Sequence, residues 1–499
     1  MEENNDIIIV GSGLGGLLCA NILSKNGYKV AVLEKNSIPG GCLQSFKRKR
    51  VDFDTGIHYV GSFGEGQRMH KLYKYLGALD SFRLRQLDEN GFDRFMLGDT
   101  EFAYATGKEN FIETLSSSFP NGKEPITNFA NKIEEIAKSV SLYNLQSVDS
   151  MNGAFFDKIK YGNTWDYLTS ISDDSSIHNA LSGLNSLYAG KKAGALLFVH
   201  ALIYNHYIDG AYRFVDGTNH VTNALIKTLE QNGGKLFLNQ EVEKFNFEGK
   251  HIKSVETKDG TQFFAKQFIS GIHPQNTLKM IDPEKVRKTY RNRIIGIKNT
   301  ISSFSLYLIL KDRTVPYMNH NQYIYPTGEV WKSTEYDAST WPEGCSIYPI
   351  ADRRDEQYTR GVSVLTMMPF NEFEKWEDTR VGMRGADYEE LKDEKAQKLI
   401  GFLKQYMPHI GNNIESYYAA TPLTYRDYTG TPRGAIYGIE RDSRKPLETF
   451  IFPKTKIPNL LFTGQNVMLH GMLGVSMGSL LTCSELLDIN TLLKDINNA

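Results

Sequence analysis

A strand, a glycine-rich turn, a helix and a second strand that ends on an acid open this chain, and few beginnings narrow the choice of fold so far. Asp6 to Val10 is a short apolar run, Gly11, Gly13 and Gly16 follow it as G-x-G-x-x-G, and apolar side chains recur at helical spacing from Gly15 to Asn26. Tyr28 to Leu33 then reads as a second strand, closed by Glu34. Each position has a physical task. The first glycine permits the tight turn, the second lets backbone N–H groups approach a pyrophosphate, and the third lets helix and strand pack closely. Glu34 is placed to accept from ribose hydroxyls, and Leu14, Gly15 and Lys35 stand beside these residues in the same expected site. The turn alone predicts a dinucleotide without separating FAD from NAD, because both present an adenosine ribose and a pyrophosphate.

Composition excludes several other functions. With 57 basic and 58 acidic side chains the formal net charge is −1, so no overall field favours nucleic acid. Cys19, Cys42, Cys345 and Cys483 are scattered without a CxxC pair, which predicts neither a disulfide framework nor a metal site and fits a reducing compartment. The acidic and amide opening Glu2-Glu3-Asn4-Asn5-Asp6 is unlike the basic start of a signal peptide, and the expectation is an untargeted, cytoplasmic protein. The apolar run Ile7 to Leu23 is interrupted by four glycines, Ser12 and Asn21, so a buried strand and helix explain it better than a membrane span.

A chain of 499 residues has room for two or three structural units. From about Gln67 to Tyr212 the pattern becomes mostly helical, with Ile126 to Leu145 as an example. Nucleotide-domain wording returns at Val215: a helix from Gly217 to Gln231, then strands at 235–239, 241–247, 252–258 and 262–270, with Gly249 and Asp259-Gly260 marking turns. Phe304 to Leu310, Glu389 to Tyr406, Asn459 to Thr463 and a closing helix from Gly471 to Leu487 complete the outline. The expected fold is α/β, a Rossmann-like dinucleotide domain interleaved with a mixed α+β substrate domain that carries a helical insertion. The first comprises residues 1–66, 215–300 and 456–499; the second comprises 67–214 and 301–455, with its helical part at 120–214.

Pro39-Gly40-Gly41-Cys42-Leu43-Gln44-Ser45-Phe46 places a glycine pair where backbone can approach a cofactor, which adds Gly40, Gly41 and Ser45 to the site. With the run Val51 to Gly61, Asp-Phe-Asp-Thr-Gly-Ile-His-Tyr-Val-Gly from Asp52 onward, this wording resembles the flavin-dependent family of retinol saturase, phytoene desaturase and carotenoid isomerase. The retinol saturase wording is nearest. Thr421-Pro422-Leu423-Thr424, Thr431 to Gly438, and Asn459 to Asn466 running into His470 to Val475 extend the resemblance. It implies FAD as cofactor, with Gly464, Gln465, Gly471, Met472, Leu473, Gly474 and Val475 along the ribityl chain and flavin ring, and Val242 pairing with adenine through its backbone. A helix N-terminus near Leu473 would stabilise negative charge developing on the ring. The resemblance covers roughly 6–61, 215–272 and 415–487 and is loose between them, where substrate would bind.

That resemblance also sets the expected chemistry: oxidation or reduction at C=C or C–C bonds of a hydrophobic polyene or isoprenoid-like lipid, with redox-neutral cis/trans isomerisation or a flavin-holding lipid carrier as alternatives. His58, Tyr59 and Tyr425 are candidate acids, each with a structural reading beside it: a hydrogen-bonded pair for the first two, a surface ion pair of Tyr425-Arg426-Asp427 for the third. Cys42 reads as a redox thiol or a small packing residue. Phe155, Phe156, Tyr161, Trp165, Tyr167, Leu196 to Val199, Ile203 and Tyr204, with Lys158, Lys160, Lys191 and Lys192, read either as a greasy tunnel resting on a membrane surface or as a helical core with a basic edge. No metal is expected, and the electron partner is left open.

Overall fold

The computed structural model describes residues 5–148 and 161–499, so Phe155, Phe156, Lys158 and Lys160 of the expected tunnel lie outside the described residues. The first sheet grows from the chain's opening. β1 (Asn5–Val10) and β2 (Val30–Leu33) are apolar runs with little alternation, which suits parallel strands covered by helices on both faces. Between them α1 (Leu14–Lys25) is buried along all but its last residue, packed against the helices Asn219–Gln231 and Gly471–Cys483. Five strands run parallel in the order Lys235–Phe237, β2, β1, Gln262–Ser270, Leu460–Phe462.

Gln262–Ser270 serves two pairings. Its first half pairs antiparallel with His251–Thr257, which pairs in turn with Val242–Glu248; its second half pairs parallel with β1 and Leu460–Phe462. These strands lie within two residues of the expected ones, because Gly249 and Asp259-Gly260 fix where each can end.

The second sheet follows the order Ile414–Ala420, Ser302–Leu310, Asp355–Met368, Cys345–Asp352, Asn321–Tyr325, Asp93–Leu97, Thr100–Tyr104. Its neighbours are antiparallel except where Asn321–Tyr325 meets Asp93–Leu97. Among the described residues, 67–212 is mostly helical as expected, and it also contributes the strands Leu84–Gln86, Asp93–Leu97, Thr100–Tyr104 and the start of Ala211–Phe214, which the sequence reading did not place. The hairpin turn at Gly98-Asp99 was the available signal, with Gly98 at φ +58°.

Two helices also end early. The helix expected over Ile126 to Leu145 spans Lys123–Lys138, because the Asn144 side-chain amide takes the carbonyls of Ala137 and Val140 at 2.8 and 2.9 Å. The closing helix stops at Cys483, and Asp488 caps a new one, Ile489–Asn498, by accepting from Thr491 N at 2.7 Å.

A strap joins the two sheets. The hairpin Ser45–Arg48 and Val51–Asp54 packs Val51 and Phe53 on Tyr307, Ile309 and Ala420 of the second sheet. The chain then pairs at Val60–Gly61 with Ala211–Phe214. The helix Leu197–Ile208, apolar on every side and therefore buried, lies beside this strap. Among the described residues, no helix is long and apolar enough to cross a membrane, and no group of three His, Cys, Asp or Glu could hold a metal ion.

Candidate active site

Four glycines of the opening turn are placed by four different constraints. Gly11 takes φ +97°, and a Cβ there would sit 3.0 Å from Ile272. On Gly16 a Cβ would fall on the Gly11 carbonyl oxygen, and on Gly15 it would come within 2.6 Å of the Gly464 backbone. Gly13 differs: a Cβ there meets nothing within 4 Å, so its face of the turn is an open cradle. Gly40 bridges to Gly13, and a Cβ on Gly41 would stand 3.1 Å from Gly13 Cα, which brings the glycine pair over the same turn. Gly13 caps α1 without a side-chain hydrogen bond and without an acid in the first turn, leaving the positive end of the helix unanswered by the chain.

Glu34 closes this cradle. Its Oε2 accepts from Ser12 N at 3.0 Å and Ser12 Oγ at 2.6 Å, and its Oε1 accepts from Asn36 N at 2.9 Å. Ser12 Oγ also accepts from Gly40 N at 3.2 Å. Buried polar atoms without a partner stand nearby: Thr222 Oγ1 beside Gly40, and Ser45 Oγ with Asn219 Oδ1 beside Gly217. A buried polar atom without a partner is costly, and several at one place fit a polar ligand. Donor-rich backbone, an open glycine face and orphaned hydroxyls thus suit the phosphate and ribose portions of a dinucleotide.

The helix Gly471–Cys483 supplies a second uncapped N-terminus, again without an acid in its first turn. Its first residues, Gly471 to Gly474, line a cavity of about 130 Å³. Across it stand Val199, Leu202 and Ile203 of the buried helix, and aromatic rings form the remaining wall. His58 stacks on Tyr348 with centroids 4.4 Å apart, Tyr59 on Tyr207 at 4.3 Å, and His470 lies 4.7 Å from Tyr437. Burial pushes His58 down to about 3, helped by the Arg213 charge, and pushes His470 down to about 4. Both rings are neutral at pH 7. His58 Nε2 is buried without a partner, and His58 and Tyr348 also line a polar cleft of about 50 Å³ on their other side.

The structure therefore gathers His58 and Tyr59 with Gly471, Met472, Leu473 and Gly474 at one cavity, and Gly11 to Gly16, Glu34, Gly40 and Gly41 at the cradle. Gly464, at φ +90°, joins the cradle through Gly15, while Gln465 is partly exposed beside it and Val475 is buried within the helix. Lys35 points to Asp427 O at 3.3 Å, and Val242 is buried opposite Thr257 in the antiparallel strands. Tyr425 is elsewhere: its hydroxyl lies 2.5 Å from Ser305 Oγ, and it is not among the residues lining the cavity. Its neighbours Arg426 and Asp427 do form an ion pair. Burial raises the Cys42 thiol to about 11, which makes it unreactive. Sequence reading missed Tyr207 and Tyr348, whose isolated positions carry no motif, and gave no role to Tyr437, which lies within the motif Thr431 to Gly438.

Residues 9–76 match the family described as NAD(P)-binding Rossmann-like domain. Over nearly its whole length the chain is similar to the all-trans-retinol 13,14-reductase of Rattus norvegicus, 26% identical over 534 residues, covering 98% of this chain and 87% of the relative. It is also similar to the chloroplastic prolycopene isomerase 1 of an Oncidium hybrid cultivar, 26% identical over 514 residues, covering 95% and 83%. Among solved structures, an oxidoreductase from Methanosarcina mazei superposes with a TM-score of 0.63 at 17% identity, covering 95% of this chain and 98% of that one, a likeness of fold.

Proposed function

We propose that this chain, a member of the retinol saturase, phytoene desaturase and carotenoid isomerase family of flavin-dependent oxidoreductases, binds FAD and changes the hydrogenation of C=C bonds in a hydrophobic polyene. One observation carries the reading. Two helices that pack on each other both start uncapped, one at an open glycine cradle and one at an aromatic-walled cavity, which suits the pyrophosphate and the ring of one flavin dinucleotide. In this reading the cradle residues Gly11, Gly13, Gly16, Gly40 and Gly41 hold the pyrophosphate, Glu34 the ribose, and Val242 the adenine edge. Residues 1–66, 215–300 and 456–499 form the cofactor domain, and 67–214 with 301–455 the substrate domain.

The cofactor supplies hydride chemistry when bound. What the chain adds is orientation and dryness. The first N–H groups of Gly471–Cys483 stabilise negative charge at the cavity, Val199, Leu202 and Ile203 exclude water, and neutral His58 can donate or accept a proton. A conjugated polyene suits such a site because it spreads developing charge.

Similarity to prolycopene isomerase favours a second reading, redox-neutral cis/trans isomerisation in the same cavity. A cytoplasmic protein that touches a membrane peripherally completes the proposal; exposed Ile295 and Leu447 among Arg293, Lys298, Arg444 and Lys445 support such a contact. Arg444, Lys445, Lys191 and Lys192 are engaged with Asp442, Glu448, Glu440 and the Trp165 ring, so the exposed apolar side chains carry that support.

Purified protein should be yellow and release FAD on denaturation. Given a reduced cofactor and a polyene without oxygen, it should return a product heavier by two hydrogens. An unchanged mass with altered geometry selects the isomerase, and a colourless protein that takes up no FAD removes the proposal.

A further inference from the structure

Behind the tyrosine wall of the cavity stands a buried carboxyl group that the cofactor cradle does not use. Asp93 is fully buried where Asp93–Leu97 pairs in parallel with Asn321–Tyr325. Among the described residues it forms no ion pair. The Asn321 amide donates to its Oδ1 at 2.7 Å, and the Tyr59 hydroxyl lies 2.8 Å from its Oδ2. Arg213 is held off by one residue: its guanidinium donates to Asn321 Oδ1 at 2.5 Å and to the Tyr317 hydroxyl at 2.7 Å, at the edge of the polar cleft. The Tyr59 hydroxyl also lies 2.9 Å from that of Tyr323, and the Tyr59 ring lines the cavity.

We propose that Asp93 is the proton reservoir of the cavity, and that Tyr59 is the hydroxyl through which its proton passes. The inference rests on the polyene reading above. In the saturating direction the Tyr59 O–H bond breaks as a C–H bond forms at one alkene carbon, and the neighbouring carbon takes hydride from an electron donor of the reduced-flavin class. The Asp93 carboxyl proton then moves to the Tyr59 oxygen, leaving an aspartate that Arg213 steadies across Asn321. Desaturation runs the same transfer backward.

A reservoir must hold its proton at the working pH, and the surroundings of Asp93 make it do so. Burial raises its carboxyl to about 7, opposed by the bonds from Asn321 and Tyr59 and by Arg213. Besides Arg213 on Ala211–Phe214, the titratable groups facing it from the other packed elements are, among the described residues, phenols: Tyr207 from the buried helix, Tyr104, Tyr323 and Tyr325 from the sheet, and Tyr348 beside them. Burial raises every one of these, so none competes for the proton below pH 9.

Infrared titration of the FAD-loaded protein tests this without turnover. The expected result is a protonated carboxyl band, absent from Asp93→Asn, that fades as pH rises through about 7 and shifts in Tyr59→Phe. Should no such band titrate between roughly pH 5 and 9, or should Tyr59→Phe leave it unmoved, the reservoir is overturned. Tyr59→Phe removes a single hydroxyl and guards against an Asp93→Asn protein that fails to fold. In turnover, the rate of polyene reduction should fall above about pH 7 in the parent protein, and be at least about tenfold lower and flat with pH in Asp93→Asn. A profile of unchanged shape in that variant counts against the relay. An intact carboxyl titration with no action on any polyene supports the reservoir and removes the polyene reading instead.

Discussion

The glycine cradle and the aromatic cavity each stand at the start of a buried helix and are built on opposite principles. At the cradle the backbone is the functional group, and side chains are excluded: at Gly15 and Gly16 a Cβ would strike neighbouring main chain, and at Gly41 it would press on Gly13. At the cavity the side chains are the functional groups, drawn from four distant segments around His58, Leu202, Tyr348 and Leu473. The contrast teaches where tolerance lies. A cradle fails by steric intrusion at single positions, whereas a cavity wall fails by degrees, as volume or one hydroxyl changes.

The sharpest break separates two neighbouring glycines. Gly16→Val places its Cβ on the Gly11 carbonyl and should cost about 3 kcal/mol or more, seen as loss of soluble folded protein and a lowered thermal midpoint. Gly13→Val meets only open space, so the apoprotein should melt as the parent does while FAD affinity falls roughly 100-fold, about 2.7 kcal/mol, in a fluorescence titration. Equal melting losses in both would refute the idea that the Cβ position of Gly13, unlike that of Gly16, opens onto ligand space.

On the cavity side, Leu202→Trp should fill much of a space of about 130 Å³. Polyene turnover should drop about tenfold with the flavin spectrum unaltered, a loss of binding rather than of cofactor. Smaller still is Ser12→Ala, which removes the hydroxyl shared by Glu34 and Gly40 N and should cost about 1 kcal/mol in chemical denaturation.

Acidity sharpens the comparison from another side. Asp93 binds its proton more tightly folded than unfolded, so between its ordinary value of 3.8 and about 7 the folded state holds the extra proton, and this contribution to stability is lost as pH rises through that window. The buried His58, His200 and His206, held down to about 3, act in the reverse sense, losing stability as pH falls below 6.5. Their opposition hides each in the parent protein. The difference between parent and Asp93→Asn, measured by urea denaturation from pH 4 to 8, should fall with rising pH and level off above about 7.

The sequence by itself determined the cradle. Backbone that must turn at φ +97° at Gly11, or touch other backbone at Gly16, admits glycine and little else, so the constraint is written locally and is legible at fixed spacing. The same holds for the strands bounded by Gly249 and Gly260, and for His470 to Gly474, which announce a helix start. Only the tertiary structure decided the cavity wall and the carboxyl behind it. Tyr59 stands in a motif, but Tyr207, Tyr323 and Tyr348 are ordinary aromatic residues in their own segments, and Asp93 carries no signal until Asn321–Tyr325 pairs beside it. Its partners lie 34 and 228 positions away along the chain. What a buried acid becomes depends on who removes its water and who donates to it, and those neighbours meet only once the second sheet has formed.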